Sequence, residues 1–241
     1  MKEKGRTYPV SDTAALVMLW AREYYRANPL IAMYLEQLDL SSGRQLHERY
    51  NRICPWYSEV IVNRKYFIRN KVETLIGQSK GGITILNLAA GHSPLALELS
   101  PLLGETCRFV EIDISGMDRK QQLYSELIPE RCNYVSGINA DITDTAALTE
   151  AIGRVIEESR SMHLVVVIEG LSYYIGRSEM ERVLGTLSHL APSETIMFEH
   201  LKPCRLVSVE RRFIPYGIFS HLVDYTGADR MTTYSEEDIR K

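Results

Sequence analysis

Between residues 83 and 200 the chain alternates short apolar runs with polar stretches of helical length. The runs are Ile83–Leu88, Arg108–Asp113, Asn133–Gly137, Leu164–Glu169 and Thr195–His200. Helical candidates lie between them, at Pro94–Leu103, Arg119–Leu127, Asp144–Ser159 and Ser178–Leu190. Strand and helix in alternation imply right-handed crossovers, and these build a parallel sheet with helices on its faces. Leu164–Ile168 shows no polar alternation, as expected of a strand buried on both sides.

The first 80 residues read differently. Ser11 or Asp12 can cap a helix running toward Ala27, with Leu16, Leu19, Trp20 and Tyr24 at helical spacing. A second helix is expected over Leu30–Leu38, then a break at Ser41-Ser42-Gly43. Pro55 interrupts the next stretch, and Tyr57–Ile76 reads as a long helix closed by Gly77 and the Gly81-Gly82 pair. The expected organisation is a helical lid over residues 1–80 and a ligand-binding α/β core over 81–241.

Several function classes fall away on composition. A net charge of −3, from 28 basic and 31 acidic residues, gives no basic excess for nucleic acid. No apolar run approaches the ~20 residues that span a bilayer. Met1-Lys-Glu-Lys-Gly-Arg lacks the apolar centre of an export signal. Cys54, Cys107, Cys132 and Cys204 are scattered and form no CxxC pair, so neither a metal site nor a redox motif is indicated. A cytoplasmic location with reduced thiols is the expectation. The oligomeric state is open, a homodimer included.

Acids stand at the strand ends. Asp113, Asp141 and Glu169 are spaced by 28 residues each, and Glu199 follows 30 later. A parallel sheet puts all its strand C-termini on one edge, where ligands of open α/β sheets bind. Acidic loops alone would explain such residues, and for Glu199 that reading has equal standing. The first strand, however, ends in a turn, Asn87-Leu-Ala-Ala-Gly91-His-Ser-Pro94. One glycine is too few for the backbone to cradle a pyrophosphate. A phosphate-free adenosine ligand needs one close backbone contact, an acid for the ribose hydroxyls and an acid for the adenine amino group. This pattern selects S-adenosylmethionine over NAD.

The segments Leu86–Gly91, Phe109–Asp113, Asn139–Asp144 and Glu169-Gly-Leu-Ser-Tyr-Tyr-Ile175 resemble class I S-adenosylmethionine-dependent methyltransferases. The resemblance is closest to the leucine carboxyl methyltransferase branch, with its bacterial O-methyltransferases. It extends from about residue 10, with Ser11-Asp-Thr-Ala-Ala15 and Arg64-Lys-Tyr-Phe-Ile68, to about residue 200. It implies a Rossmann-like, doubly wound, mostly parallel sheet. Such a fold has seven strands and five are counted, so the terminal pair is absent or the sequence stops short of it.

By the same resemblance Arg64 binds the methionine carboxylate and Gly91 admits the methionine portion. Asp113 holds the ribose, with Glu111 as its competitor. Asp141 contacts adenine as a buried partner. Glu169 lies near the methionine amine, and Tyr174 faces the methyl-transfer region. Lys120 matches a lysine without an assigned role. The chain departs from the branch at Ser93-Pro94-Leu95 and at Arg69, and Arg69 or a lysine is the alternative holder of the carboxylate.

The expected reaction is methyl transfer to a carboxylate or hydroxyl of a small molecule. A carboxylate acceptor is ionised at pH 7 and needs no base, whereas a hydroxyl wants one. His200 is the best-placed candidate base, against the plainer reading of a strand-end histidine. Tyr24, Tyr25, Tyr216 and Tyr225, with Arg205, Arg211 and Arg212, are candidate walls of the acceptor site. Two other readings remain: an inactive binding or scaffold protein on the same fold, and a dehydrogenase with a degenerate nucleotide turn.

Overall fold

The computed structural model describes residues 7–159, 163–191, 195–226 and 231–240. Five parallel strands form the central sheet: β1 (Ile83–Leu88), β2 (Cys107–Asp113), β3 (Val135–Asn139), β4 (His163–Ile168) and β5 (Thr195–Phe198). Their spatial order is β3-β2-β1-β4-β5. The chain moves outward from β1 to β3, then returns to lay β4 on the other side of β1. The strand order therefore reverses between β1 and β4, whose pairing runs in register from Ile83↔His163 to Leu88↔Ile168.

Alternation along the strands divides the molecule into two cores. Leu86 and Leu88 of β1, Val110 and Ile112 of β2, and Val166 and Ile168 of β4 pack against α6 (Thr145–Ser159) and α7 (Arg177–Leu190). Ile83 and Ile85, Phe109, Val165 and Val167 point the other way. That face is covered by α1 (Asp12–Arg26), α2 (Pro29–Glu36), α3 (Arg44–Ile53), α4 (Tyr57–Gln78) and α5 (Met117–Leu127). The helices of the first 80 residues thus share one core with the sheet. All six residues of β1 are buried, and fully burying each large aliphatic side chain contributes about 1.5–3 kcal/mol.

Local chemistry explains the element ends. The Asn28 side chain accepts hydrogen bonds from the Leu30 and Ile31 amides, and Pro29 occupies the first helical position, where its missing N–H costs nothing. Pro29 therefore starts α2. The helix expected over 94–103 is two short turns, Leu95–Glu98 and Ser100–Leu102, because Pro101 cannot donate to a continuing helix. The third strand lies two residues later than expected, since Cys132–Tyr134 forms a 3₁₀ turn. Helix α3 was hidden in the sequence: eight of its ten residues are polar or intermediate, and it buries only Leu46 and Tyr50. Beyond β5 the chain forms short turns and α8 (Ser220–Thr226). No described helix is long and apolar enough to cross a membrane, and all four cysteines are free.

Candidate functional site

The turn after β1 enters the left-handed region twice, at Ala89 (φ 52°) and Gly91 (φ 47°). For alanine this conformation carries strain on the order of 1–2 kcal/mol, and such strain persists where neighbours over-determine it. They do so here. The Gly91 amide donates to Asp113 Oδ2 at 2.7 Å, and Lys120 Nζ donates to the Gly91 carbonyl at 2.9 Å. The Ala90 amide donates to the Ile112 carbonyl, and the Tyr34 hydroxyl to the His92 carbonyl. A Cβ on Gly91 would meet nothing within 4 Å, so the turn faces open space.

Glu111 and Asp113, the two candidates at the end of β2, lie at different depths. Glu111 is buried under the edge, against Lys120 Nζ at 2.7 Å and the Tyr124 hydroxyl at 3.0 Å. Burial raises its pKa, with Lys120 opposing, and burial lowers that of Lys120. Glu111 belongs to the support of the turn, with Lys120 and Tyr124 on its carboxylate. Asp113 sits at the edge, half-buried. Lys120 thereby acquires a role: it ties α5 and β2 to the glycine turn.

Asp141 corrects an expectation. It is exposed, and its Oδ1 accepts from the Thr143 amide at 2.9 Å and the Thr143 hydroxyl at 2.7 Å. These bonds hold its carboxyl below the usual range. It is not a buried partner and lines none of the cavities below.

The centre of the site lies at the β1/β4 reversal. Arg64, on α4, reaches Glu169 with Nε at 2.7 Å and Glu199 with Nη1 at 2.9 Å. Lys65 Nζ meets the same Glu169 oxygen at 2.8 Å. Three of these side chains are nearly sealed, with Arg64 13%, Lys65 6% and Glu169 6% exposed. Burial opposes the Glu169 charge, but Lys65 and Arg64 prevail and its pKa is lowered. Glu199 Oε2 also accepts from the Gly170 amide at 2.6 Å, and its carbonyl accepts from the Ser172 hydroxyl. The Tyr173 hydroxyl accepts from Arg64 at 3.3 Å. Two cations and two carboxylates balance, which is what low-dielectric burial of charge requires.

Sequence reasoning missed Lys65, Tyr173 and the engagement of Glu199 by Arg64. Adjacent helix positions diverge by ~100°, and nothing in the sequence marks Lys65 as inward-facing. Arg69 is directed elsewhere, toward Tyr24, Asn70 and Glu73.

Two cavities meet at this cluster. One, of about 130 Å³, is lined by Thr13, Asn87, Ala89–Ser93, Lys65, Glu169 and Gly170. The other, of about 250 Å³, is lined by Trp20, Tyr57, Ile61, Glu199, His200 and Phe219. Thr13, Val17, Arg64, Tyr173 and Tyr174 belong to both. In the first, burial and Lys120 push His92 down to about 4, so the ring is neutral at pH 7. In the second, burial pushes Tyr174 up to about 12. Tyr174 stays protonated, packed edge-on against Tyr173 at 4.6 Å. His200 stacks on Phe198, and its Nδ1 is buried without a hydrogen-bond partner among the described residues.

The other aromatic and basic candidates divide. Tyr25 is buried, Tyr24 bonds to Glu98, and Tyr216 is 67% exposed. The Tyr225 side chain lies outside the described residues. Arg212 donates to the carbonyls of Val207 and Arg205, bracing its own loop, and Arg205 is exposed.

Known structures share this architecture. A methyltransferase candidate from Thermobifida fusca YX superposes with a TM-score of 0.59 at 17% identity, over 80% of this chain and 70% of that one. A DUF574 family protein from Streptomyces avermitilis MA-4680 superposes with a TM-score of 0.58 at 11% identity, over 83% and 74%. At such identities the likeness concerns the fold. No curated protein sequence matches significantly. The family model for leucine carboxyl methyltransferase matches residues 4–188, a span that runs from the helices before β1 through α7 and contains the glycine turn, Arg64 and Glu169. The chain is therefore a methyltransferase, and it belongs to the leucine carboxyl methyltransferase family.

Proposed function

We propose that the protein transfers a methyl group from S-adenosylmethionine to a carboxylate or hydroxyl oxygen of a small molecule. The observation that carries this reading is Arg64. It belongs to the walls of both cavities, so whatever fills one is adjacent to whatever fills the other.

The residues fit the donor. A methionine head is a zwitterion and adds no net charge to the balanced cluster of Arg64, Lys65, Glu169 and Glu199. Its ammonium would meet Glu169 and its carboxylate Arg64 or Lys65. Arg64 already holds two carboxylates, so accepting a third means loosening Glu199. The smaller cavity lies below the ~300–1,000 Å³ of a full ligand site. It suits the methionine end, with adenosine over the open edge beyond Asp113. When bound, the donor supplies an already activated sulfonium methyl.

The chain's own residues supply alignment and dryness, an effect of up to ~7–11 kcal/mol. Tyr173 and Tyr174 wall the junction of the cavities. His200 would take the proton from a hydroxyl acceptor, while a carboxylate acceptor has none to lose. The helices of residues 1–80 serve as the cap, Thr13 and Val17 of α1 reaching both cavities.

Calorimetric titration with S-adenosylhomocysteine, with NAD as control, tests the reading. Binding of the first alone at micromolar affinity, ~8 kcal/mol, is expected. Binding of NAD alone, or of neither, would overturn it.

A further inference from the structure

A third cavity of about 580 Å³ lies beyond the acceptor cavity, between the start of α4 and the segment 201–223. It shares Tyr57, Val60, Leu201 and Phe219 with the 250 Å³ cavity, so the two adjoin. Its size is that of a complete ligand site. Trp56, Val207, Ile214, Pro215, Val223 and Met231 make its wall mostly apolar. Among the described residues no acidic side chain lines it, but Lys202 and Arg211 do. Arg211 is exposed and has no ion-pair partner among the described residues, and Lys202 is 3.9 Å from Glu236, too long for a firm pair.

A methyl acceptor confined to 250 Å³ would have no use for this space. The three cavities instead run in series: the donor's methionine end, the junction at Arg64 and Tyr174, then a large apolar chamber lined by two cations and, among the described residues, no acid. We infer that the acceptor is an elongated, largely apolar molecule that carries an acid besides its reacting oxygen. Its nucleophilic oxygen enters the 250 Å³ cavity beside His200, its body fills the 580 Å³ cavity, and its acid meets Lys202 and Arg211. This inference rests on the methyl-transfer reading for the identity of the reacting end, but the binding it requires can be measured separately.

The two tryptophans of the chain report on the two chambers, Trp56 on the outer and Trp20 on the inner. The full chain is titrated with ω-hydroxydecanoate, decanol and glycolate, with and without saturating S-adenosylhomocysteine, by tryptophan fluorescence and calorimetry. The expected result is that ω-hydroxydecanoate binds at least about tenfold tighter than decanol, which lacks the acid, and than glycolate, which lacks the body. The fluorescence change shrinks in Trp56→Phe, which leaves Trp20 as the sole reporter. Arg211→Ala, at an exposed position, brings ω-hydroxydecanoate toward the affinity of decanol by at least about threefold, with Lys202 holding the remainder, and Val207→Trp abolishes binding of both long probes. S-adenosylhomocysteine affinity is unchanged in all three variants. Equal affinity for glycolate, or wild-type binding by Arg211→Ala and Val207→Trp, would overturn the inference. A protein that binds ω-hydroxydecanoate in this way but not S-adenosylhomocysteine would contradict the donor assignment and leave the chamber's ligand class standing.

Discussion

The two halves of the carboxyl edge are built on different terms. At the β1/β4 reversal and the adjoining end of β5 both acids are engaged: Glu169 by Arg64 and Lys65, Glu199 by Arg64 and the Gly170 amide. At the β3 end, Asp141 is exposed and bonded only to Thr143 in its own loop. One half is cross-linked by ion pairs between distant segments of the chain. The other presents a carboxylate whose partners are two residues away in sequence. The difference teaches that an acid after a strand becomes part of a site through what covers it. The N-terminal helices bring cations and walls to β1 and β4, and none of them brings a cation to Asp141.

Substitutions can break this comparison, and the largest effect belongs beneath the turn. Lys120→Ala leaves Glu111 buried without its cation, and should cost about 3–5 kcal/mol in urea unfolding. A loss under about 1 kcal/mol would mean that Glu111 is readily neutralised and the turn is held by Asp113 alone. Arg64→Ala should cost less, about 1.5–3 kcal/mol, because Lys65 still meets Glu169 and only Glu199 is left unpaired. It should also weaken S-adenosylhomocysteine binding. Stability without affinity loss would assign the carboxylate to Lys65.

Smaller effects sharpen the contrast. Burial pushes Glu98 up to about 7, against the Tyr24 hydrogen bond and the nearby Lys65 and Arg69. A carboxyl with a raised folded pKa stabilises the fold while protonated. That contribution is complete below the ordinary value of 4.5 and lost as pH rises through about 7. Glu98→Gln keeps the neutral form and should gain stability relative to wild type across that interval, read from urea midpoints at several pH values. A difference independent of pH would place the titration elsewhere. Asp141→Ala should change stability by no more than about 1 kcal/mol, since it removes only exposed local bonds.

The sheet was legible because its strands announce themselves: β-branched, apolar and bounded by glycine or acid. The strand-end acids were legible because parallel topology fixes where strand ends go. Depth was not legible. Glu111 and Asp113 are two residues apart on one strand face, and only the packing of Lys120 and Tyr124 from α5 decides which is buried. Asp141 reads in sequence like Asp113, yet nothing packs over it. Lys65 carried no mark of its inward direction, and Glu199 stood evenly between loop acid and site residue, because an ion pair across 135 residues leaves no local trace. Helix α3 escaped because its charged surface outweighs the two residues it buries.

The central claim is that the β1/β4 half of the edge holds the donor and that the β3 half contributes little. Calorimetry of S-adenosylhomocysteine against wild type, Glu169→Gln and Asp141→Ala tests it most directly. The account predicts a loss of at least about tenfold, or 1.4 kcal/mol, for Glu169→Gln and less than about threefold for Asp141→Ala. The reverse order would contradict it and would mean that the exposed loop after β3 closes over the ligand to make the principal contact.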